Sequence, residues 1–174
     1  EVRAAPTSEH TARQAHSAGI PLTTLGEHPQ LDVAIDGADE VDADLNMIKG
    51  LGRALLREKV VATHAQIFIF VVDASKMVPL LGTLRPLPLE LVPFGAAAQI
   101  RWLSTLGCRA ELWRYGGTPL LTDNGNQLAR CWFQEGITEP ESLAHDLETR
   151  SGILEHGLFL HMASKVIVAD EGGV

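Results

Sequence analysis

Positive charge is what this chain has least of. Four lysines (Lys49, Lys59, Lys76, Lys165) and ten arginines stand against 22 acidic residues, giving a net charge of -8 and a pI of about 5.3. No run of Lys or Arg is present to meet a phosphate backbone or an anionic membrane surface, which argues against nucleic acid and membrane as partners and for small molecules. Cysteine is nearly absent too. Cys108 and Cys131 have neither metal-ligand nor redox spacing and no secretory segment ahead of them, so free thiols in a reducing cytoplasm are expected. No apolar run approaches the roughly 20 residues that span a bilayer, and no signal-peptide pattern is visible. Methionine first occurs at Met47 and the chain opens at Glu1 in mid-pattern, so a longer protein is expected, with an N-terminal part of the first domain preceding this sequence.

What is present suits a folded globule of one or two small domains: 174 residues, 45% hydrophobic and 21% charged, with mean hydropathy near zero. Thr7 or Ser8 can cap a helix EHTARQAHSA that stops at Gly19, with Pro21 beyond. LDVAI (31–35) reads as a strand, a helical pattern runs from about Gly52 to Ala65, and IFIFVV (67–72) is a second strand. This is a βαβ unit. The unbroken apolarity of the second strand predicts a parallel sheet buried on both faces, with helices on both sides.

After Gly82 the pattern changes. A proline-flanked strand in LRPLPLELVPF precedes a helix GAAAQIRWLSTLG ended by Gly107, then a strand RAELWRY. Asn124-Gly125 between β-rich runs predicts a hairpin. Thr138 and Glu141 have capping-box spacing ahead of PESLAHDLETR, and GLFLHM and KVIVAD read as two last strands. These readings predict an α/β fold: a parallel-sheet domain over 1–86 and 161–174, with a smaller α+β domain inserted at 87–160.

The segment IDGADEVDADLNMIKGLG, 35–52, crowds Asp36, Asp39, Glu40, Asp42 and Asp44 ahead of Lys49. Asp36 and Asp73 each follow a parallel strand, at the carboxyl edge where open α/β folds bind ligands, although an Asp there also makes ordinary Asx turns. Three of the four lysines lie between the first strand and the loop after the second. The order Lys49-Gly50-Leu51-Gly52 is not a Walker loop, and the glycine and glutamate offsets do not make an EF-hand. A magnesium site in the acidic cluster stays open at this point. Glu40, Asp42 and Asp44 are expected mainly on a solvated loop.

Glu58 is the most informative single residue. At 100° per residue, Leu51, Ala54, Leu55, Val61, Ala62 and Ala65 form an apolar stripe with Glu58 in its middle, while Arg53, Arg57 and His64 lie opposite. Burial disfavours the charged form and raises a carboxyl pKa, which suits a general base; a structural ion pair with a neighbouring lysine is the other reading.

IDGADEVD, MIKGLGRALLREK, VVDASK, LPLELVPF and LLTDNGN, in this order, resemble the type A ribose-5-phosphate isomerase family over nearly the whole chain. The resemblance implies a Rossmann-like domain with a smaller ferredoxin-like domain, in a dimer or tetramer that uses no metal or organic cofactor. It implies interconversion of the sugar phosphates ribose 5-phosphate and ribulose 5-phosphate through an enediolate, in the pentose phosphate pathway. Carried over by motif, Glu58 is the base, Asp36 opens the sugar ring, Asp39 contacts hydroxyls or relays protons, and Lys49 stabilises the enediolate oxygen. Substrate contact is implied for Asp36, Gly37, Ala38, Asp39, Lys49, Gly50, Gly52 and Lys76. Leu51 and Arg53 depart from the glycine-rich pattern usual after the lysine, and the family's G-x-G-[TS]-G-S-T loop has no counterpart. The remnant Pro6-Thr7-Ser8 is expected near the site. A different class also fits: a sugar-phosphate-sensing domain of a transcription regulator, which would need no buried base.

Overall fold

The computed structural model describes residues 2–170 and Gly172. Helix α1 (Glu9–Ser17) starts where expected, with Ser8 as N-cap accepting a hydrogen bond from the Thr11 amide. Strand β1 (Leu31–Asp36) is followed by two short strands, β2 (Glu40–Val41) and β3 (Met47–Ile48), then by α2 (Leu55–Thr63) and β4 (Ala65–Asp73). Helix α2 begins three residues later than the apolar pattern suggested. Gly50 and Arg53 both have positive φ, 106° and 72°, and hold the intervening residues in a turn.

The second half holds β5 (Leu87–Leu91), α3 (Ala96–Leu103), β6 (Cys108–Leu112), a small hairpin of β7 (Arg114–Tyr115) and β8 (Thr118–Pro119), β9 (Gln127–Phe133), α4 (Pro140–Glu148) and β10 (Ile153–His156). Strands β5, β6, β9 and β10 form one antiparallel sheet in the order β10-β5-β9-β6, and with α3 and α4 they make the βαββαβ ferredoxin-like arrangement. Asn124-Gly125 sits in a tight turn, with the Thr122 amide donating to the Asn126 carbonyl at 2.9 Å, but the strand before it is reduced to a single Leu121–Gln127 bridge. The capping box does not form: Glu139 occupies the N-cap with no side-chain cap, and Glu141 instead pairs with His161 at 3.2 Å.

The chain closes with β11 (Leu158–Phe159), paired with β3, and β12 (Lys165–Ala169), which joins the parallel sheet β1-β4-β12. One core lies under the parallel sheet and one under the antiparallel sheet, and β3 and β11 contribute residues to both. Along β4 burial alternates instead of running unbroken: Phe68, Phe70 and Val72 are buried, whereas Ile67 and Val71 are 49% and 47% exposed. The expectation of two buried faces is thus corrected. Among the described residues only one face of the parallel sheet is covered.

Candidate active site

Strand periodicity aims the central lysine. In β3, Met47 faces the core of the parallel sheet and Ile48 the other core. Lys49, two residues from Met47, shares its side. The Lys49 amide donates to the Gly157 carbonyl at 2.8 Å, extending the β3–β11 ladder by one residue. A Cβ on Gly157 would stand 2.2 Å from the Lys49 carbonyl, so only glycine permits this approach. The side chain then passes Phe70 and Phe159, whose ring centres lie 5.6 and 5.5 Å from Nζ. Lys49 is 3% exposed.

Its ammonium meets two carboxylates from different elements. Asp36, the last residue of β1, places Oδ2 2.9 Å from Nζ, and Glu58, in the first turn of α2, places Oε2 at 3.3 Å. Nζ also donates to the Gly37 carbonyl. Asp39 stands beside this group, its amide bound to the Ile48 carbonyl and its Oδ2 accepting from the Leu51 amide at 3.0 Å. Four residues from the segment 36–58, carried by different elements, therefore converge at the carboxyl edge of the parallel sheet, where α/β folds place ligands.

The electrostatics suit proton transfer. Burial raises the Glu58 pKa above the ordinary glutamate value, and the positive charge of Lys49 only partly offsets it. Oε2 is buried and accepts no aligned hydrogen bond, so Lys49 holds this oxygen by charge alone. Asp39 is raised too, again by burial, against the Leu51 hydrogen bond and the Lys49 charge. Such raised carboxyls next to a fixed cation are what a proton shuttle through an enediolate requires.

Asp36 and Glu58 line a cleft of about 500 Å³ with Gly52, Arg53, Thr7 and Ser8, and its opposite wall is Leu121, Thr122 and Asp123. Gly50, buried behind the cleft, could not carry a side chain: a Cβ would lie 2.7 Å from Leu55 Cβ. Ala38 packs on the parallel-sheet core, and half-buried Lys76 follows β4 in a 3₁₀ turn, acting on Asp39 through its charge. Asp73 caps that turn by accepting from the Ser75 amide at 2.9 Å and stays apart from Lys49. No set of three or more His, Cys, Asp or Glu side chains is gathered as metal ligands among the described residues.

One expectation is corrected here. Glu40 is fully buried, not solvated; its carboxylate accepts from the backbone amides of Gly82, Leu84 and Arg85 at 2.5–2.6 Å and anchors the segment ahead of β5. Asp42 and Asp44 do lie on the turn, half-buried and exposed. Sequence reasoning missed the Thr122–Asp123 wall, Gly157 and the two phenylalanines under Lys49. The only signal for the wall was the polar run TDNGN, whose turn residues masked its second role.

Comparison with known proteins gives a consistent result. A family model described as ribose 5-phosphate isomerase A (phosphoriboisomerase A) matches residues 3–173. The chain is 49% identical over 171 residues to a ribose-5-phosphate isomerase A of Synechococcus sp. (strain JA-3-3Ab), covering 97% of this chain and 74% of that one. Among solved structures it superposes on ribose 5-phosphate isomerase from Plasmodium falciparum with a TM-score of 0.93 at 35% identity, covering 97% and 74% of the two chains. It also superposes on a D-ribose-5-phosphate isomerase in complex with phospho-erythronic acid, with a TM-score of 0.94 at 38% identity, covering 98% and 75%.

Proposed function

The chain belongs to the ribose 5-phosphate isomerase A family and interconverts ribose 5-phosphate and ribulose 5-phosphate; from that premise we propose that Glu58 is its base and Lys49 its enediolate stabiliser. Glu58 removes the proton from C2 of the open-chain aldose phosphate and returns it to C1. The charge that develops on the substrate oxygen is met by Lys49, already fixed beneath the site. Asp36, which shares Lys49 and points into the cleft, handles the ring oxygen and hydroxyl protons, with Asp39 behind it. Gly37, Ala38, Gly50, Gly52 and Lys76 complete the substrate-binding set. The reaction needs a base and a cation, both supplied by side chains, so no metal enters this reading.

The observation that carries the proposal is the sharing of one buried ammonium by Asp36 and Glu58 at the edge of a cleft. A sensor would have no use for a buried base. A complex of one solved relative with phospho-erythronic acid supports a phosphorylated sugar as the ligand class. Two further readings belong to the same proposal. The residues 1–86 with 161–174, and 87–160, are two domains, a division supported by the separate parallel and antiparallel sheets; the two meet where β11 pairs with β3 and where Ile48, Val78 and Leu81 join the core of the antiparallel sheet. A cytoplasmic dimer or tetramer is supported by the two buried free thiols and by apolar surface such as Phe94, which is 92% exposed.

The test is Glu58→Gln, assayed for isomerisation and for exchange of the carbon-bound proton into deuterated water. Loss of the only base is expected to cost about 10,000-fold or more, while a phosphorylated sugar acid still binds within a few-fold. Near-normal exchange would remove Glu58 from its role. Loss of folding together with activity would point instead to a structural ion pair.

A further inference from the structure

We propose that Glu90 is a positioning residue that sets the cleft wall opposite Glu58, acting through the side chain of Asn124. This rests on the functional reading above, since it concerns how the same cleft is shaped. Glu90 is the fourth of the five residues of β5, is fully buried and touches none of the reacting groups. Its Oε1 accepts from the Thr122 hydroxyl at 2.9 Å, from Asn124 Nδ2 at 3.1 Å and from Asn126 Nδ2 at 2.8 Å. Its other oxygen, Oε2, is buried without a hydrogen-bond partner, so the three bonds to Oε1 are what hold this side chain in place. Here all three come from one five-residue loop.

That loop does not need Glu90 in order to turn. The Thr122 amide donates to the Asn126 carbonyl and the Gly125 amide to the Thr122 carbonyl, both at 2.9 Å. What Glu90 adds is orientation. A carboxylate only accepts, so it forces the amide nitrogens of Asn124 and Asn126 toward itself and turns their carbonyl oxygens away. The outward Oδ1 of Asn124 then accepts from Arg57 Nε at 2.8 Å. Arg57 immediately precedes Glu58 on α2, and it also pairs with Glu9 at 3.2 Å. Beside it, Asp123 Oδ2 accepts from the Glu9 amide at 2.8 Å, at the start of α1. Asn124 thus joins a buried carboxylate of the antiparallel sheet to the helix carrying the base, by a shorter contact than those Arg57 makes to the Asp123 carbonyl at 3.4 Å and to its Oδ2 at 3.8 Å. Thr122 and Asp123 are held as one wall of the cleft while Ser8 and Glu58 line the others.

Removing the directing charge frees the amide to flip. Glu90→Gln, which offers both a donor and an acceptor, should raise KM for the sugar phosphate about tenfold and weaken a phosphorylated sugar acid by a similar factor, because small displacements of positioning groups cost one to two orders of magnitude. The acid limb of the kcat profile, set by Glu58, should not move. Asn124→Ala cuts the bridge at the surface, leaves Glu90 its bonds from Thr122 and Asn126, and should give the same rise in KM. The double variant should be no worse than either single one, the mark of residues acting through one link. A drop in thermal stability with KM unchanged, or additive effects in the double variant, would overturn the proposal. If Glu90→Gln does not fold, Asn124→Ala alone decides: an unchanged KM refutes it and a raised KM supports it. Failure of the Glu58 assignment would show in the Glu58→Gln exchange experiment and leave these KM comparisons readable.

Discussion

Lys49 and Glu58 form a buried pair 3.3 Å apart in which the carboxylate remains harder to ionise than in water. Desolvation outweighs the neighbouring ammonium, and that balance gives the base its working range. The expected consequence is kinetic. Glu58 must be deprotonated to act, so kcat/KM should fall on the acid side with a midpoint above 4.5, the ordinary glutamate value. The stability linkage has the opposite sense. A carboxyl whose folded pKa is raised favours folding most at low pH, and this contribution is lost as pH rises through the window above 4.5. Glu58→Gln should flatten that part of the stability profile, measured by urea melts across pH; an unchanged slope would show that Glu58 titrates normally.

Removing the other partner should behave differently. Lys49→Met keeps the side chain apart from its terminal nitrogen, with its packing on Phe70 and Phe159, but strands Asp36 and Glu58 without a cation. Breaking a buried pair from one side costs about 3 to 5 kcal/mol, and loss of a preorganised charge at a developing oxyanion costs about 100- to 1,000-fold in kcat. Unlike Glu58→Gln, this variant is expected to lose stability and rate together, and the acid limb should move further up. A variant as stable as the parent in urea would show that the pairing contributes little.

The two experiments probe features that the sequence revealed unequally. Glu58 was legible because a charge in the middle of an apolar helical stripe violates the periodicity around it, and its neighbours Leu55 and Ala62 are indeed buried. Asp36 was legible because it is the first polar residue after a strand. Glu40 and Glu90 were not, although both are fully buried carboxylates. Each lies in a short β segment whose partners are a loop more than 30 residues away, a distance that no local pattern spans. The missing capping box has the same origin, since His161, far along the chain, takes Glu141. The second face of β4 was misjudged because apolar composition reports what could be buried and not what covers it.

Glu40 offers a check on this kind of hidden anchor. Glu40→Ala would leave the amides of Gly82, Leu84 and Arg85 without their acceptor. Each unsatisfied buried donor costs about 1 to 3 kcal/mol, and since Gly82 is buried while Leu84 and Arg85 are exposed, a loss of about 1 to 3 kcal/mol is expected. Hydrogen exchange at those three amides should accelerate before the rest of the chain does. Exchange rates equal to those of the parent would mean that water replaces the carboxylate at no cost.

His156 gives a prediction set mainly by burial. It is 2% exposed, and its Nδ1 faces Lys59 Nζ at 3.4 Å while accepting from the Leu158 amide at 3.2 Å. Lys59 is itself paired with Glu155 at 2.6 Å, and Glu148 approaches Nε2 of the imidazole at 3.4 Å. Burial first, and the Lys59 charge second, lower the imidazole pKa from 6.5 to about 3. The folded state thus keeps His156 neutral where the unfolded chain would protonate it. Stability from this residue is present above pH 6.5 and is lost as pH falls toward 3. The slope is about 1.4 kcal/mol per pH unit within that window. His156→Asn retains an acceptor for the Leu158 amide but cannot titrate, so its stability between pH 4 and 6.5, read from urea melts, should fall less steeply than the parent's by about one proton's worth. Parallel curves for the two proteins would show that His156 gains its proton without leaving the folded state.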